Sequence, residues 1–316
     1  MARLTREAPF GRLARMDRIG DNRAMSSSSS TSKAKTPTWT SAVHEVFSYR
    51  GTGLACLVVQ SNEDRDHHVS EVDACDDYTT EDPAALWSSK VRAYSMCPAS
   101  DDVVYLAHSG KVLCRGPLDS LEPILTHDKD VTRLCGARRG VYLVGLGGYV
   151  GHFDGETLHD LPVPDSDVYS VAESRNGTLW AAGSKGRVYR RVGDVWEAIR
   201  VGGEGDVRFV AAKDDAILFA GASGLCGRID GDTVTRFDTP VAREYFAVAV
   251  FRGRVYVGAG RDGLDVVESE RVVPFKENVY SYHLSADDEH LFAGGLSEAA
   301  RFDGEGWLAT AFASQV

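Results

Sequence analysis

The sequence lacks the long hydrophobic runs that membranes require. No apolar stretch approaches the about 20 residues of a membrane-spanning helix, and the N-terminus has no apolar core of a secretory signal. Positive charge is also scarce, since 35 Lys and Arg residues face 46 Asp and Glu residues and leave a net charge of −11. Binding to nucleic-acid phosphates or to anionic lipids depends on cationic side chains. We therefore expect a soluble cytoplasmic protein that binds neither nucleic acid nor membranes.

Signatures of catalysis and of metal binding are missing as well. There is no Walker loop, no HExxH, no GxSxG and no CxxC pair. The segment GAGRDG at 258–263 has the spacing of a dinucleotide-binding loop, but a strand-like segment follows where that site needs a helix, so it predicts a hairpin turn. Single cysteines in or beside apolar stretches indicate reduced, buried thiols. They are Cys56, Cys75, Cys97, Cys114, Cys135 and Cys226. These absences favour a protein that is not an enzyme and has no cofactor.

The first 38 residues differ from the rest in composition. They carry eight basic and three acidic residues, and the run MSSSSSTSKAKTPT from Met25 is rich in serine and poor in apolar side chains. Such a segment buries too little apolar surface to offset the entropy of ordering it. We expect a disordered tail, or a start assigned too early, with Met16 or Met25 as alternatives. An organelle-targeting peptide is the competing interpretation.

Residues beyond the tail form repeats spaced by 34 to 40 residues. Each repeat opens with an apolar segment after a polar turn, and these segments start at Val91, Val131, Val168, Val207, Tyr245 and Val279. Three more short apolar segments follow in each repeat, separated by Gly, Asp and Asn turns. No window keeps the 3.6-residue period of a helix. Four short strands per repeat predict an all-β protein, a β-propeller over residues 39–316.

The number of blades depends on residues 39–90. Two apolar segments near Ala42 and Leu54 precede a long acidic insertion. Counted as a divergent repeat that starts near residue 42, this region makes a seven-bladed β-propeller, whereas a six-bladed ring results if it is an appendage. The last repeat carries four strand segments of its own, so we expect closure by blade packing rather than by strand exchange.

The acidic insertion also brings potential zinc ligands together. They are Asp66, His67, His68 and Cys75. Zinc needs ligands that are held in a fixed geometry, and an acidic loop is usually just solvated.

The repeat at 168–199 resembles the two-component-regulator propeller repeat, which is related to WD and kelch repeats. The matching residues are Val168, Gly177, Leu179, Trp180, Gly183, Gly186, Tyr189 and Arg190. The resemblance implies a propeller fold and a bacterial binding or sensory module. It implies no catalytic residue.

Equivalent repeat positions predict rings of side chains around the central channel, because the first strand of each blade lines it. The position before each first strand is mostly acidic and carries Lys90, Asp130, Asp167, Asp206, Glu244 and Asn278. The position inside it carries Arg92, Thr132, Tyr169, Arg208, Phe246 and Tyr280. Convergent oxygens suit calcium or a basic partner, although Asp and Asn are also common turn residues before a strand. The aromatic and arginine side chains suit a binding surface.

Two other residues have simple structural interpretations. His283 lies inside the first strand of the last repeat, where we expect a packed core histidine rather than a catalytic base. Asn176, Gly177 and Thr178 fit a glycosylation sequon, but without a secretory signal they predict a turn.

Three functional hypotheses follow. The first is a non-enzymatic, monomeric scaffold that binds a protein partner through the channel face and loops. The acidic body favours a basic partner, as for an immunity protein that neutralises a basic toxin. The second is a calcium-dependent hydrolase or lyase of the lactonase type, in which the acidic ring binds the metal. The third is a sugar-binding lectin, although the tryptophans do not recur at one repeat position.

Overall fold

Short segments rich in β-branched and aromatic residues form strands along the chain, because such side chains pack well on a pleated sheet. The computed structural model describes residues 39–49, 53–62, 68–75, 84–296 and 298–311. All of them belong to one compact unit, Pro37–Val316. The predicted disorder of residues 1–38 concerns residues outside the described ranges.

The described strands form seven four-stranded antiparallel sheets, each made of four consecutive strands. The first four sheets contain β1 (Trp39–Tyr49), β2 (Gly53–Asn62), β3 (His68–Cys75), β4 (Ala84–Ser89); β5 (Ala93–Pro98), β6 (Val104–His108), β7 (Val112–Gly116), β8 (Glu122–Thr126); β9 (Val131–Gly136), β10 (Val141–Gly145), β11 (Val150–Phe153), β12 (Leu158–Asp160); and β13 (Val168–Glu173), β14 (Leu179–Gly183), β15 (Arg187–Val192), β16 (Val195–Arg200). The last three contain β17 (Val207–Lys213), β18 (Ala216–Gly221), β19 (Cys226–Asp230), β20 (Thr233–Arg236); β21 (Ala247–Phe251), β22 (Arg254–Gly258), β23 (Leu264–Glu268), β24 (Arg271–Lys276); and β25 (His283–Ala286), β26 (Leu291–Gly295), β27 (Glu298–Phe302), β28 (Trp307–Ala311).

The seven-bladed, all-β prediction is confirmed, and the six-bladed alternative is wrong. The divergent repeat forms the first blade, β1 to β4. Within the described ranges, helix is limited to a single 3-10 turn at Ala222–Gly224. None of the described residues belongs to a helix long and apolar enough to span a membrane.

The first strands of blades two, six and seven begin later than the apolar segments suggested. They start at Ala93, Ala247 and His283 rather than at Val91, Tyr245 and Val279. The residues before them belong to the turns that lead into these blades. This offset changes which side chains reach the channel in blades two and seven.

The ring closes by packing between blades. Each first strand contacts the first strands of the neighbouring blades, and β25 of the last blade contacts β1 of the first. Seven apolar clusters fill the seven interfaces between adjacent blades. At the closing interface, the Val43 N–H donates to the Leu296 carbonyl at 2.5 Å and the Ser285 hydroxyl donates to the Val46 carbonyl at 2.6 Å. No sheet mixes strands from the two ends of the described chain.

Three local predictions can be checked against the structure. The residues of GAGRDG form the turn between β22 and β23, where the Ala259 N–H donates to the Gly263 carbonyl at 2.9 Å. The Asn176 carboxamide accepts the Thr178 N–H at 3.0 Å, as expected of a turn. The described cysteines are reduced, and all but the half-buried Cys135 are buried.

Candidate functional site

A bulge near the start of the first strand places one side chain of each blade at the mouth of the channel. In the first five blades, strand pairing skips one residue at this point. The skipped residues are His44, Tyr94, Thr132, Tyr169 and Arg208. In blades six and seven, Phe246 and Tyr282 stand directly before the first strand. Bulges re-aim side chains, and we call these seven residues the mouth ring.

Two of the predicted channel residues are not members of the mouth ring, although Arg92 lines a cavity together with the ring residues His44 and Tyr94. Arg92 and Tyr280 each lie two residues before the ring position, which Tyr94 and Tyr282 occupy instead. Arg92 is exposed, and its guanidinium lies 6.0 Å from the Tyr94 ring. The predicted positions of Thr132, Tyr169, Arg208 and Phe246 do belong to the mouth ring.

His44 is a ring member that the sequence argument missed. The segment Val43-His44-Glu45-Val46 matches Val168-Tyr169-Ser170-Val171 residue for residue in the bulge of its blade. Both segments begin and end with a buried valine, and the side chains of His44 and Tyr169 are partly exposed. Aligning the first repeat on this four-residue pattern would have placed His44 correctly.

One side of the mouth ring opens into a cavity of about 300 Å³. The lining residues are Thr132, Arg133, Tyr169, Arg208, Phe246, Tyr282 and His283. They comprise two arginines, three aromatic residues, a histidine and a threonine, with no carboxylate among them. Cavities from about 300 Å³ upward hold small ligands or single side chains of a partner. We call this space the mouth cavity.

Three of the predicted acidic residues support turns in the preceding blade. Each accepts a backbone N–H from the turn between the second and third strands of that blade. The pairs are Asp167 with Gly147 at 2.8 Å, Asp206 with Lys185 at 3.1 Å and Glu244 with Ser223 at 2.9 Å. All three donors have a left-handed backbone, with φ of 66°, 60° and 56°. That conformation is costly for residues other than glycine, so Asp206 and Glu244 stabilise strained turns at Lys185 and Ser223.

Asp130 contacts a turn of the same kind through the Lys111 side chain rather than through a backbone N–H. Its carboxylate lies 3.1 Å from the Lys111 ammonium, and Lys111 also has a positive φ of 56°. Asn278 and Lys90 are exposed. The predicted acidic ring therefore covers four consecutive blades, from the third to the sixth.

Two of these acids also orient the mouth ring. The second oxygen of Asp206 accepts the Tyr169 hydroxyl at 3.1 Å, and the second oxygen of Glu244 lies 2.6 Å from Nη2 of Arg208. Burial and the bond to Asp206 raise the pKa of Tyr169 to about 12. The Ser223 N–H and then Arg208 lower the pKa of Glu244. Each acid thus joins a turn to a side chain of the preceding blade.

The acids do not converge on a metal position. Within the described ranges, no group of three or more His, Cys, Asp or Glu side chains could hold a metal ion. The potential zinc ligands Asp66 and His67 lie outside those ranges, and only the backbone of His68 and Cys75 is described. The observed hydrogen bonds give the acidic residues a supporting role at the mouth.

A stack of side chains crosses three blades beside the mouth cavity. The Arg208 guanidinium lies 4.9 Å from the centre of the Phe246 ring, which lies 4.8 Å from the Tyr282 ring. Such cation–π and tilted aromatic contacts hold side chains in place. Nη1 of Arg208 is buried and has no hydrogen-bond partner in the described part of the chain. The stack therefore presents a rigid face that retains one unused donor.

A polar cluster lies deeper in the channel, where blades seven, one and two meet. Glu45 accepts the Ser95 hydroxyl at 2.8 Å, and its other oxygen lies 3.3 Å from Nδ1 of His283. The side chains of His283 and Glu45 are only 17% and 18% exposed. His283 is therefore paired at the channel wall, which corrects the expectation of a packed core histidine. We call these three residues the closing cluster.

The environment of the closing cluster shifts two pKa values. Burial alone would raise the pKa of Glu45, but His283, with help from Arg133 and Ser95, lowers it below its usual value. Burial and the neighbouring His283 lower the pKa of His44 to about 4, so this imidazole is neutral at pH 7. Glu45 contacts both the serine and the histidine, and no described bond joins those two directly. The arrangement therefore differs from that of a nucleophile activated by a base.

Comparison with known proteins identifies the fold and no family. No family model matches the chain, and no curated protein matches it significantly. Among solved structures, the WD40 β-propeller domain of Doa1 is similar with a TM-score of 0.63 and 13% identity over 83% of this chain and 91% of that one. A chain of the mitotic checkpoint complex has a TM-score of 0.62 and 12% identity over 87% and 97% of the two chains. YCF48 bound to D1 peptide has a TM-score of 0.56 and 12% identity over 87% and 97%.

These similarities support a propeller repeat protein with WD40-type structural neighbours. Sequence identities this low carry the fold alone. The resemblance of residues 168–199 to the two-component-regulator repeat stays a prediction.

Proposed function

We propose that the protein is a non-enzymatic scaffold that binds a segment of a protein partner at the mouth ring. The observation that carries the proposal is the mouth cavity, which is lined by two arginines and three aromatic residues. Arginine and large aromatic residues dominate binding hot spots. The mouth cavity brings these side chains together on a concave surface at the channel.

The mouth is held in shape before any partner arrives. Asp206 fixes the Tyr169 hydroxyl, Glu244 fixes Arg208, and Phe246 stacks on Arg208. Side chains that are ordered in advance lose less entropy when they bind, so more of the contact energy appears as affinity. This arrangement supports a binding role for the mouth ring.

Structural neighbours agree with such a role. One of them is YCF48 bound to D1 peptide, and another is a chain of the mitotic checkpoint complex. A propeller that binds a peptide segment across its channel face is consistent with both. The proposal transfers only this general mode of binding.

A basic partner, predicted from the net charge of −11, finds little support at the mouth. The carboxylates that surround the cavity are engaged by turn N–H groups and by Tyr169 and Arg208. The charge of the whole body can still steer an approaching basic protein over longer distances. We place recognition itself at the arginine and aromatic side chains.

Site-specific photocrosslinking tests the proposal. A photoreactive amino acid replaces Tyr282 in the mouth ring or, as a control, Val195 on an outer strand, where the side chain is 65% exposed. We expect a discrete protein crosslinked from position 282 in the source cells and none from position 195. Equal crosslinking from both positions, or none from position 282, would contradict a binding site at the mouth.

A further inference from the structure

We infer that the segment bound at the mouth ring presents a carboxylate to Arg133 and Arg208 in the mouth cavity. The inference rests on the proposed function and adds the chemical class of the recognised group. It differs from the basic partner expected from composition, which followed from the net charge of −11. The local donors, rather than the overall charge, carry the inference.

Arg133 is the first source of these donors. Its guanidinium extends from the third blade to the fifth and lies 5.0 Å from the Phe209 ring. It makes no hydrogen bond and no salt bridge with the described residues. Glu45 interacts with it electrostatically, but that carboxylate is bonded to Ser95 and His283. The five N–H donors of a guanidinium are therefore available at the cavity wall.

Arg208 is the second source. Glu244 occupies Nη2 of Arg208 at 2.6 Å, while Nη1 is buried and has no hydrogen-bond partner among the described residues. Leaving a buried donor unsatisfied costs about 1–3 kcal/mol. Nη1 has essentially no accessible surface, so a ligand acceptor would remove this cost once the side chains that cover Nη1 move aside. Glu244 and Phe246 hold the guanidinium in place for that acceptor.

A carboxylate fits this donor set better than other groups do. It offers two acceptor oxygens, and charge-assisted hydrogen bonds to arginine are about twice as strong as neutral ones. A lysine or arginine of a partner would bring only further donors to a cavity without a lining carboxylate. A backbone carbonyl is the competing acceptor, and the experiment separates it from a carboxylate.

The aromatic wall defines the neighbours of the carboxylate. Tyr169, Phe246 and Tyr282 line the same cavity as the two arginines. Apolar and aromatic side chains bury surface against such a wall. We therefore expect an acidic side chain or a C-terminal carboxylate next to an apolar residue.

Peptide display tests the inference on the full-length protein. A random peptide library is selected against the wild-type protein, with heat-unfolded protein as the reference, and the enriched sequences are read. We expect Asp or Glu beside apolar residues. Enriched peptides are then synthesised with a free or amidated C-terminus and with Glu replaced by Gln, which separates a terminal carboxylate from a side-chain carboxylate.

A pair of matched protein variants locates the contact. Arg133→Met removes the donors but keeps a long side chain. Arg115→Met is the control, because Arg115 also lies over an aromatic ring, 5.7 Å from Tyr105, but outside the mouth cavity. Loss of a charge-assisted pair should weaken peptide binding about tenfold in Arg133→Met. We expect Arg115→Met to bind within about twofold of the wild type.

The possible results separate the inference from the proposed function. Neutral or basic enriched peptides that need Phe246 and Tyr282 would leave the scaffold proposal standing and overturn the carboxylate. Acidic peptides that bind Arg133→Met as tightly as the wild type would also overturn it. Failure to enrich any peptide over the unfolded reference would overturn both.

Discussion

The channel mouth is held in shape by different side-chain contacts in two arcs of the ring. In blades three to six, an acid stands before the first strand and holds a turn, as Asp206 and Glu244 do. In blades seven, one and two, the charged side chain lies inside the channel, where Glu45 joins Ser95 and His283. The two arcs therefore use different repeat positions, since Asp206 and Glu244 stand two residues before the mouth-ring residue whereas Glu45 directly follows it.

The difference follows from where the chain closes. Consecutive blades are joined by a covalent connection, whereas the last and first blades meet only through packing and hydrogen bonds. The buried pair between Glu45 and His283 adds a directional contact at this junction. Buried polar networks whose hydrogen bonds are satisfied make the local arrangement more rigid. The supporting acids of the other arc instead stabilise strained turns.

The largest effect is expected from breaking the closing cluster. Glu45→Ala leaves the half-buried His283 and the buried Ser95 without their partner, and we expect a loss of about 2 kcal/mol in the free energy of unfolding. Denaturant unfolding measures it. Glu197→Ala is the control, because Glu197 pairs with Arg190 at 2.9 Å but is 48% exposed. A Glu45→Ala protein as stable as the control would show that the two arcs do not differ in this way.

Acid should weaken the same arc. In the folded protein the pKa of His44 lies near 4, below its usual value of 6.5. As the pH falls from 6.5 to 4, the unfolded chain therefore binds a proton that the folded chain does not bind, and the free energy of unfolding falls. Glu45, whose pKa is also lowered, adds to the loss below its usual pKa of 4.5.

His44→Tyr sharpens this prediction, since tyrosine occupies the same ring position in three other blades. Thermal unfolding between pH 7 and 4 should show a smaller loss of stability for the variant, by about 2 kcal/mol. An unchanged pH profile would mean that His44 does not couple folding to protonation.

A smaller effect is expected from the acidic arc. Glu244→Ala removes the acceptor from the Ser223 N–H and releases Arg208, and we expect a loss of about 1 kcal/mol. Ser223→Gly should restore part of it, since glycine tolerates the φ of 56° observed there. Urea unfolding of the single and double variants tests the coupling. Simple additivity of the two substitutions would argue against a supported turn.

The smallest effect is expected outside both arcs. Asn278 is exposed and belongs to the set of acidic and amide residues predicted for the channel. Asn278→Ala should leave the free energy of unfolding within about 0.5 kcal/mol of the wild type, as for ordinary surface positions. A larger loss would extend the supporting arc to the seventh blade.

The sequence predicted seven blades, with six as the alternative, because four-strand repeats with Gly, Asp and Asn turns leave a period that can be counted but the first repeat is divergent. It also placed Asp206 and Glu244 at the channel face. It did not show that their oxygens are used by Lys185 and Ser223, since turn conformation and carboxylate direction are three-dimensional properties. The arginine and aromatic character of the mouth was predicted, with Arg208 and Phe246 in place.

The predicted starts of the first strands in blades two and seven were wrong for a physical reason. The turns before those blades contain apolar residues, Val91 and Val279, which look like strand starts although the strands begin at Ala93 and His283. His44 and the closing cluster were missed because they need contacts between the two ends of the ring, which sequence periodicity does not report.

The central claim, that the mouth ring binds a protein segment, is tested most directly by the affinity of an enriched peptide for the Phe246→Ala/Tyr282→Ala double variant. Isothermal titration calorimetry on folded wild-type and variant protein gives this number. We predict at least about a tenfold loss of affinity, because both rings line the mouth cavity. Equal affinities for the wild type and the folded double variant would contradict the account.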